Sequence, residues 1–264
     1  MNIKYITCSD PREFNDINEI IDLAKSSPRA EIAIQMHPSK ASPGMPRYEW
    51  LTELLKKLQS DQYTNYILGR KYLYGLINLA VHINSEWATK ICQSGKFPRE
   101  LYPLLCLRYT GGFDVKPIIR RIQINVPKDA AICASSIDMA RMMNENRDYK
   151  FIIQYNEKTA DLVHRLYRIG ANFSPLYDAS GGNGISPDAW CGPVFDYGWT
   201  GYSGGISPEN VANNLTKISA VVPANRDIWI DAEGKLKTDN KFDIARARQY
   251  IKNAENWIAG QKQR

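Results

Sequence analysis

Short apolar segments and amphipathic ones alternate along this chain, and the cycle repeats eight times. Runs of strand length stand at Lys4–Cys8, Glu31–Met36, Leu79–Ile83, Arg121–Val126, Lys150–Tyr155 and Phe173–Asp178, with two more opening the stretches Gly201–Val211 and Ile228–Gly234. Nearly every run is followed by a helical pattern. Ile17, Ile20, Ile21 and Ala24 form one apolar face, and Leu51, Leu54, Leu55 and Leu58 form another in a helix over Arg47–Ser60. Further helices are expected between Ser85, as cap, and Gly95, over Ser136–Glu145, over Glu157–Ile169 with Gly170 ending it, and over Phe242–Ala259. Strand–helix alternation implies parallel pairing, since each helix returns the chain to the same end of the sheet. Eight such units predict an α/β protein of the closed (β/α)8 type, one domain over residues 1–264. The competing arrangement is an open doubly wound sheet, but no GxGxxG opens a first βαβ unit.

Several local signals refine this picture. Asp10-Pro11-Arg12-Glu13 reads as a helix start with Asp10 as cap. The connections after the second and third strands are long: His37–Pro46 carries three prolines and a glycine, and 97–119 is irregular with a short helix around Leu101–Leu107. Pro187–Trp199 is unusually aromatic, and Trp190, Trp199, Tyr177 and Tyr197 are candidates either to stack on a ring or to pack between loop and helix.

Bulk properties remove some function classes. The net charge of +6 is carried by scattered residues, not by the dense stripe a nucleic-acid surface needs. No apolar run approaches the roughly 20 residues of a membrane span. Met1–Cys8 shows no apolar leader, so a cytoplasmic protein is expected. Five cysteines without CxxC spacing point to free thiols rather than a disulfide framework or zinc site. No cofactor is expected, and the oligomeric state is not encoded in any visible pattern.

Four strand ends share a polar signature: Gln35-Met-His37, His82-Ile-Asn84, Gln123-Ile-Asn125 and Gln154-Tyr-Asn156. Residues i and i+2 of a strand point to one face. The outer face of a barrel packs on helices, so these pairs are expected to point inward at the mouth. They could satisfy one another, or they could bind a hydroxylated or heterocyclic ligand. His37 and His82 lack a carboxylate at metal-ligand spacing, so no metal is expected.

The turn Tyr202-Ser-Gly-Gly-Ile-Ser-Pro-Glu-Asn-Val211 has its own chemistry. Gly204 and Gly205 can take positive φ, Ser207 suits a helix N-cap and Pro208 the first helical position. Free N–H groups at such a helix start favour an anion, although a bare strand-to-helix turn looks the same.

These motifs are similar to those of phosphoribosylanthranilate isomerase, a (β/α)8 enzyme, and the chain resembles a divergent relative of that family. Leu176-Tyr-Asp178 with Ser180-Gly-Gly-Asn-Gly184 resembles its Leu-Leu-Asp…Gly-Gly-Thr/Ser-Gly, and the Tyr202–Val211 segment its Ala-Gly-Gly-Leu-x-Pro-Glu-Asn-Val. Cys8 falls where the family has the Cys of Lys-Ile-Cys-Gly, with Ser9 in place of the glycine. The resemblance implies an Amadori rearrangement of an aminated phosphosugar, with Asp178 as general acid on the ring oxygen and Cys8 as general base at C2. It also implies phosphate contacts from Gly181, Gly182, Gly204, Gly205, Ser207 and the Glu233-Gly234 turn, where this chain reads Asp231-Ala-Glu-Gly234 instead of Asp-Val-Ser-Ser-Gly. Asp231 joins the expected pocket lining.

Three functions stay open on these residues. One is an isomerase or related enzyme on a phosphorylated sugar. The second is a barrel that binds a small phosphorylated or nucleotide-like ligand without turning it over. The third is hydrolysis of a nucleoside-like ligand by Asp178, Asp231 or Glu233. The expected partner throughout is a small anionic molecule.

Overall fold

The computed structural model describes residues 1–67, 77–109, 116–178 and 184–261. Eight parallel strands close into a barrel, each hydrogen-bonded to its neighbours in chain order: β1 (Asn2–Ser9), β2 (Ala30–Met36), β3 (Asn78–Ile83), β4 (Arg121–Ile124), β5 (Lys150–Tyr155), β6 (Phe173–Asp178), β7 (Thr200–Ser203) and β8 (Asp227–Ala232). β8 pairs back onto β1 and completes the circle. The (β/α)8 barrel read from the alternation is the fold observed.

Helices α1 (Ile17–Lys25), α2 (Pro38–Ala41), α3 (Pro46–Ile67), α4 (Ser85–Ser94), α5 (Tyr102–Leu105), α6 (Lys128–Ile132), α7 (Ser136–Glu145), α8 (Ala160–Arg168), α9 (Val211–Val221) and α10 (Ile244–Gln261) surround it. The β9–β10 ribbon (Lys237–Thr238 and Lys241–Phe242) follows β8. No helix among the described residues is long and apolar enough to cross a membrane. Between β6 and β7, described residues 184–199 form no helix. Trp190 instead covers the outer face there, edge-on to Tyr202 and bonded through its indole N–H to Asn214 of α9.

Two expected caps are placed otherwise. Asp10 does not start a helix. It sits at φ +72° at the end of β1, and α1 begins at Ile17, where Asp16 accepts from the N–H groups of Asn18 and Glu19. The Asp10 carboxylate meets Arg12 at 2.5 Å, Lys237 at 2.8 Å and Arg47 at 3.5 Å, so ion pairing holds it where capping was expected. Ser85 is the first residue of α4 rather than its cap, and its hydroxyl bonds His37.

Among the described residues the core has two compartments. The larger joins the outward strand residues to the helices. A small inner one, Ile152, Leu176 and Trp229 with Tyr5 and Trp199 packed against it, fills the lower barrel. Gly201 is required there, since a Cβ would lie 2.2 Å from the Trp229 ring. Above that ring the guanidinium of Arg121 is stacked between Trp229 and Tyr5, at 4.3 and 4.6 Å, and bonds Glu31 at 2.6 Å. Both charges are buried, so they form a closed floor beneath the mouth.

Candidate active site

Above the Arg121 floor lies a cavity of about 330 Å³. Its wall is built from the inward residues of all but β1: Gln35 on β2, His82 on β3, Gln123 and Asn125 at β4, Gln154 on β5, Asp178 on β6, Ser203 and Gly204 at β7, Asp231 and Glu233 at β8. β1 contributes behind the wall, where Ser9 Oγ donates to Asp231 Oδ1 at 2.6 Å. This end of the barrel is where the polar strand tips were expected to converge.

Of the four polar pairs, the first member of each lines the cavity and the second members divide. Asn125 lines it. Asn84 stands behind, donating to Gln35 Oε1 at 2.7 Å. His37 and Asn156 turn away, the former to the hydroxyls of Ser39 and Ser85, the latter to the Lys158 N–H. Both lie beyond the last residue of their strands, where alternation no longer dictates direction.

Cys8 is the main correction. It is fully buried in the outer core, in contact with the helix layer, and does not line the cavity. The cause is a register irregularity between Ile3 and Tyr5 on β1. Strict alternation from outward-facing Ile3 would turn Cys8 inward; the extra residue reverses every side chain after it. Ile6 and Cys8 therefore join the outer core, while Thr7 and Ser9 reach Glu31 and Asp231 inside. Burial, with Asp231 and Glu31 nearby, pushes the Cys8 thiol well above its usual range, opposite to what a thiolate base requires.

Ser207 does cap the turn that leads into α9: Ser207 N–H donates to Asn210 Oδ1 at 2.8 Å and Asn210 N–H to Ser207 Oγ at 3.3 Å, the reciprocal pair of a capping box, one turn before the regular helix begins at Val211. Ser207 is buried and off the cavity wall. Gly204 and Gly205 do line the cavity, at φ +118° and +60°. Gly205 is there for close approach, since a Cβ would lie 2.4 Å from the Ser186 amide nitrogen. Gly234 lines the rim with Lys235, and Gly181 and Gly182 lie outside the described residues. None of the four aromatic candidates lines the cavity. Trp199 packs at the opposite end, under Lys150, whose Nζ is 3.7 Å from its ring.

The electrostatics single out β8. Asp231 is buried, and desolvation raises its pKa to about 7, against the opposing bond from Ser9. Beside it, His82 Nε2 lies 3.9 Å from Asp231 Oδ2. Burial, aided by Arg121, lowers the His82 pKa to about 3, so its imidazole is neutral. Gln35 Nε2 stands 3.3 Å from His82 Nδ1 and 2.8 Å from Glu233 Oε2. Glu233 in turn faces Lys237 at 3.2 Å. Near neutral pH the cavity thus holds a carboxyl that carries a proton part of the time beside a neutral imidazole, and Asp178 lines the same cavity. Asp231 is one of the three carboxylates the sequence offers for acid–base work; that burial raises its pKa is a property of the closed barrel, which no spacing encodes.

No protein-family model matches the sequence, and no curated protein matches it. Among solved structures, N-(5′-phosphoribosyl)anthranilate isomerase from Pyrococcus furiosus is a distant neighbour at 11% identity. The alignment covers 96% of this chain and 98% of that one, with a TM-score of 0.48.

Proposed function

We propose that this barrel is an acid–base enzyme acting on a polyhydroxylated, sugar-like ligand, moving a proton between neighbouring atoms as an aldose–ketose or Amadori-type isomerase does. The observation that carries the reading is Asp231, buried at the cavity wall with a pKa near 7 and sharing that cavity with Asp178. A group poised at the working pH is what proton transfer in either direction needs. Asp231 gives its proton to the ring or carbonyl oxygen, and Asp178 takes one from the adjacent carbon. This exchanges the roles that the family resemblance implied, because Asp231 is the group that holds a proton near neutrality and Cys8 faces away.

The neutral His82 suits the same chemistry. As an N–H donor it can polarise a carbonyl without bringing a positive charge. The amide-rich wall fits hydroxyl groups. For a phosphate the support is narrower: Asp178, Asp231 and Glu233 oppose a dianion inside, whereas Lys235 and the Gly204–Gly205 turn favour one at the rim. A phosphorylated ligand therefore binds with its anionic end outward.

The test is hydrogen exchange. Incubated in D2O with D-ribose 5-phosphate, D-ribose and D-glucosamine, the wild-type protein is expected to introduce deuterium at C2 of at least one, read by NMR. Asp178→Asn and Asp231→Asn are expected to lose on the order of 100-fold or more while keeping the fold. Exchange that survives Asp178→Asn, or its absence with all three probes, overturns the proposal.

A further inference from the structure

The amides of the mouth form a one-way hydrogen-bond chain. Gln123 Nε2 donates to Asn125 Oδ1 at 2.7 Å, Asn125 Nδ2 to Asn84 Oδ1 at 2.8 Å, and Asn84 Nδ2 to Gln35 Oε1 at 2.7 Å. Gln35 Nε2 ends the chain on Glu233 Oε2 at 2.8 Å. An amide can in general be turned end for end, but here two anchors forbid it. An ionised carboxylate only accepts, so Glu233 fixes the nitrogen of Gln35. Backbone carbonyls also only accept, and Asn84 Nδ2 lies 2.9 Å from the His82 carbonyl and 3.3 Å from that of Met36. With both amides fixed, each link before them has one orientation.

The chain's free end is then determined. Gln123 Oε1 must point away from Asn125, on a residue that lines the cavity and is 2% exposed. It has no hydrogen-bond partner among the described residues. A buried carbonyl left in that state is unfavourable, and on a residue that lines a cavity a ligand donor is one way to satisfy it.

We infer that Gln123 Oε1 is a ligand-reading acceptor, locked in polarity by the amide chain, so that this cavity selects a ligand presenting a hydroxyl or N–H at that point and rejects one presenting only an acceptor there. The gain comes from discrimination: a site built around an unpaired acceptor penalises any analogue that lacks the donor. Gln123 is a specificity residue in this role and transfers no proton itself. The donor's identity as a sugar hydroxyl or amine rests on the function proposed above; the locked acceptor rests on the amide chain alone.

The test uses Gln123→Leu, which keeps the bulk and removes the carbonyl. Thermal melting of the ligand-free variant is read first. Because the acceptor is unpaired, its removal offsets the lost bond to Asn125, and Tm is expected to stay level or rise. Binding of D-ribose 5-phosphate, D-ribose and D-glucosamine is then measured by calorimetry, and any probe that wild type binds is expected to bind at least about tenfold more weakly to the variant. Asn125→Leu, which frees Gln123 to turn its amide round, is expected to weaken the same probe while the fold persists. A Tm drop of several degrees in Gln123→Leu marks a structural role and overturns the inference. So does unchanged affinity in that variant, with the acid–base reading untouched. If no probe binds wild type, the sugar reading fails, and the melting result alone decides whether the acceptor is poised for a donor of another class.

Discussion

Ser9 Oγ donates a hydrogen bond to Asp231 Oδ1 across 2.6 Å, joining β1 to β8 at the seam where the barrel closes. The bond favours the charged carboxylate, and it is the largest influence opposing the desolvation that raises Asp231 to about 7. Ser9→Ala removes it, so the Asp231 pKa is expected to move further up. A carbon-13 carboxyl NMR titration reads this directly. A pKa that stays near 7 or falls would contradict the assignment of burial and the Ser9 bond as the opposing causes.

Asp231 and His82 also predict an unusual pH dependence of stability. Asp231 is raised to about 7, so in the folded state it keeps a proton that the unfolded chain has lost above about pH 4. Its contribution is fully present below that pH and is lost as pH rises toward 7. His82 is lowered to about 3, so below about pH 6.5 the unfolded chain binds a proton that the folded one does not. Its contribution has the opposite slope. Between about pH 4 and 6.5 the pair carries one proton in either state, and the two slopes cancel. Asp231→Asn unmasks His82, and stability relative to wild type is expected to rise with pH by up to about 1.4 kcal/mol per unit across that window. His82→Gln unmasks Asp231, and the relative slope is expected to reverse. Urea denaturation at half-unit pH steps measures both, and equal slopes in the two variants would refute the pairing.

The barrel was legible because its determinants are local and repeated. Each strand carries its apolar run and each helix its stripe, and eight copies leave little freedom of topology. The inward polar tips followed from alternation, which is why Gln35, His82, Gln123 and Gln154 fell on the cavity wall. Legibility failed where alternation was interrupted. The irregularity at Lys4 leaves no mark in the sequence, yet it decides whether Cys8 or Ser9 faces in. Asp10 looked like a cap because its partners Arg47 and Lys237 are distant in sequence and near only after closure. The amide chain, likewise, spans four strands and depends on distances that no spacing encodes.

Cys8 separates the two readings of the site. Packed in the outer core against α10 and off the cavity wall, it is expected to be dispensable for chemistry. Cys8→Ala should leave C2 exchange within about twofold and lower stability by on the order of 1 kcal/mol through a small cavity. The deuterium assay and a urea melt on the same sample check both. A loss of exchange as large as that of Asp178→Asn would restore the thiol as the base.

The floor of the site predicts a strong coupling between Arg121 and Glu31. Their bond of 2.6 Å is buried on both sides, with Thr7 Oγ1 donating to the same Glu31 oxygen at 2.8 Å. Burial still holds the Glu31 pKa above its usual range in spite of Arg121 and Thr7, so the carboxylate depends on its partner. Arg121→Met leaves that carboxyl in an apolar barrel without its cation, and a cost of about 3–5 kcal/mol is expected. It also removes the slab stacked between Tyr5 and Trp229. Glu31→Gln alone strands the guanidinium in the same way. Arg121→Met combined with Glu31→Leu removes both charges and is expected to cost much less than the sum of the single changes, because the desolvation penalty disappears with the pair. A double-mutant cycle from urea melts gives the coupling. Additive costs would show that the two charges are held independently, Glu31 by Thr7 and Arg121 by its two rings, and that the floor is an aromatic plug with an incidental ion pair.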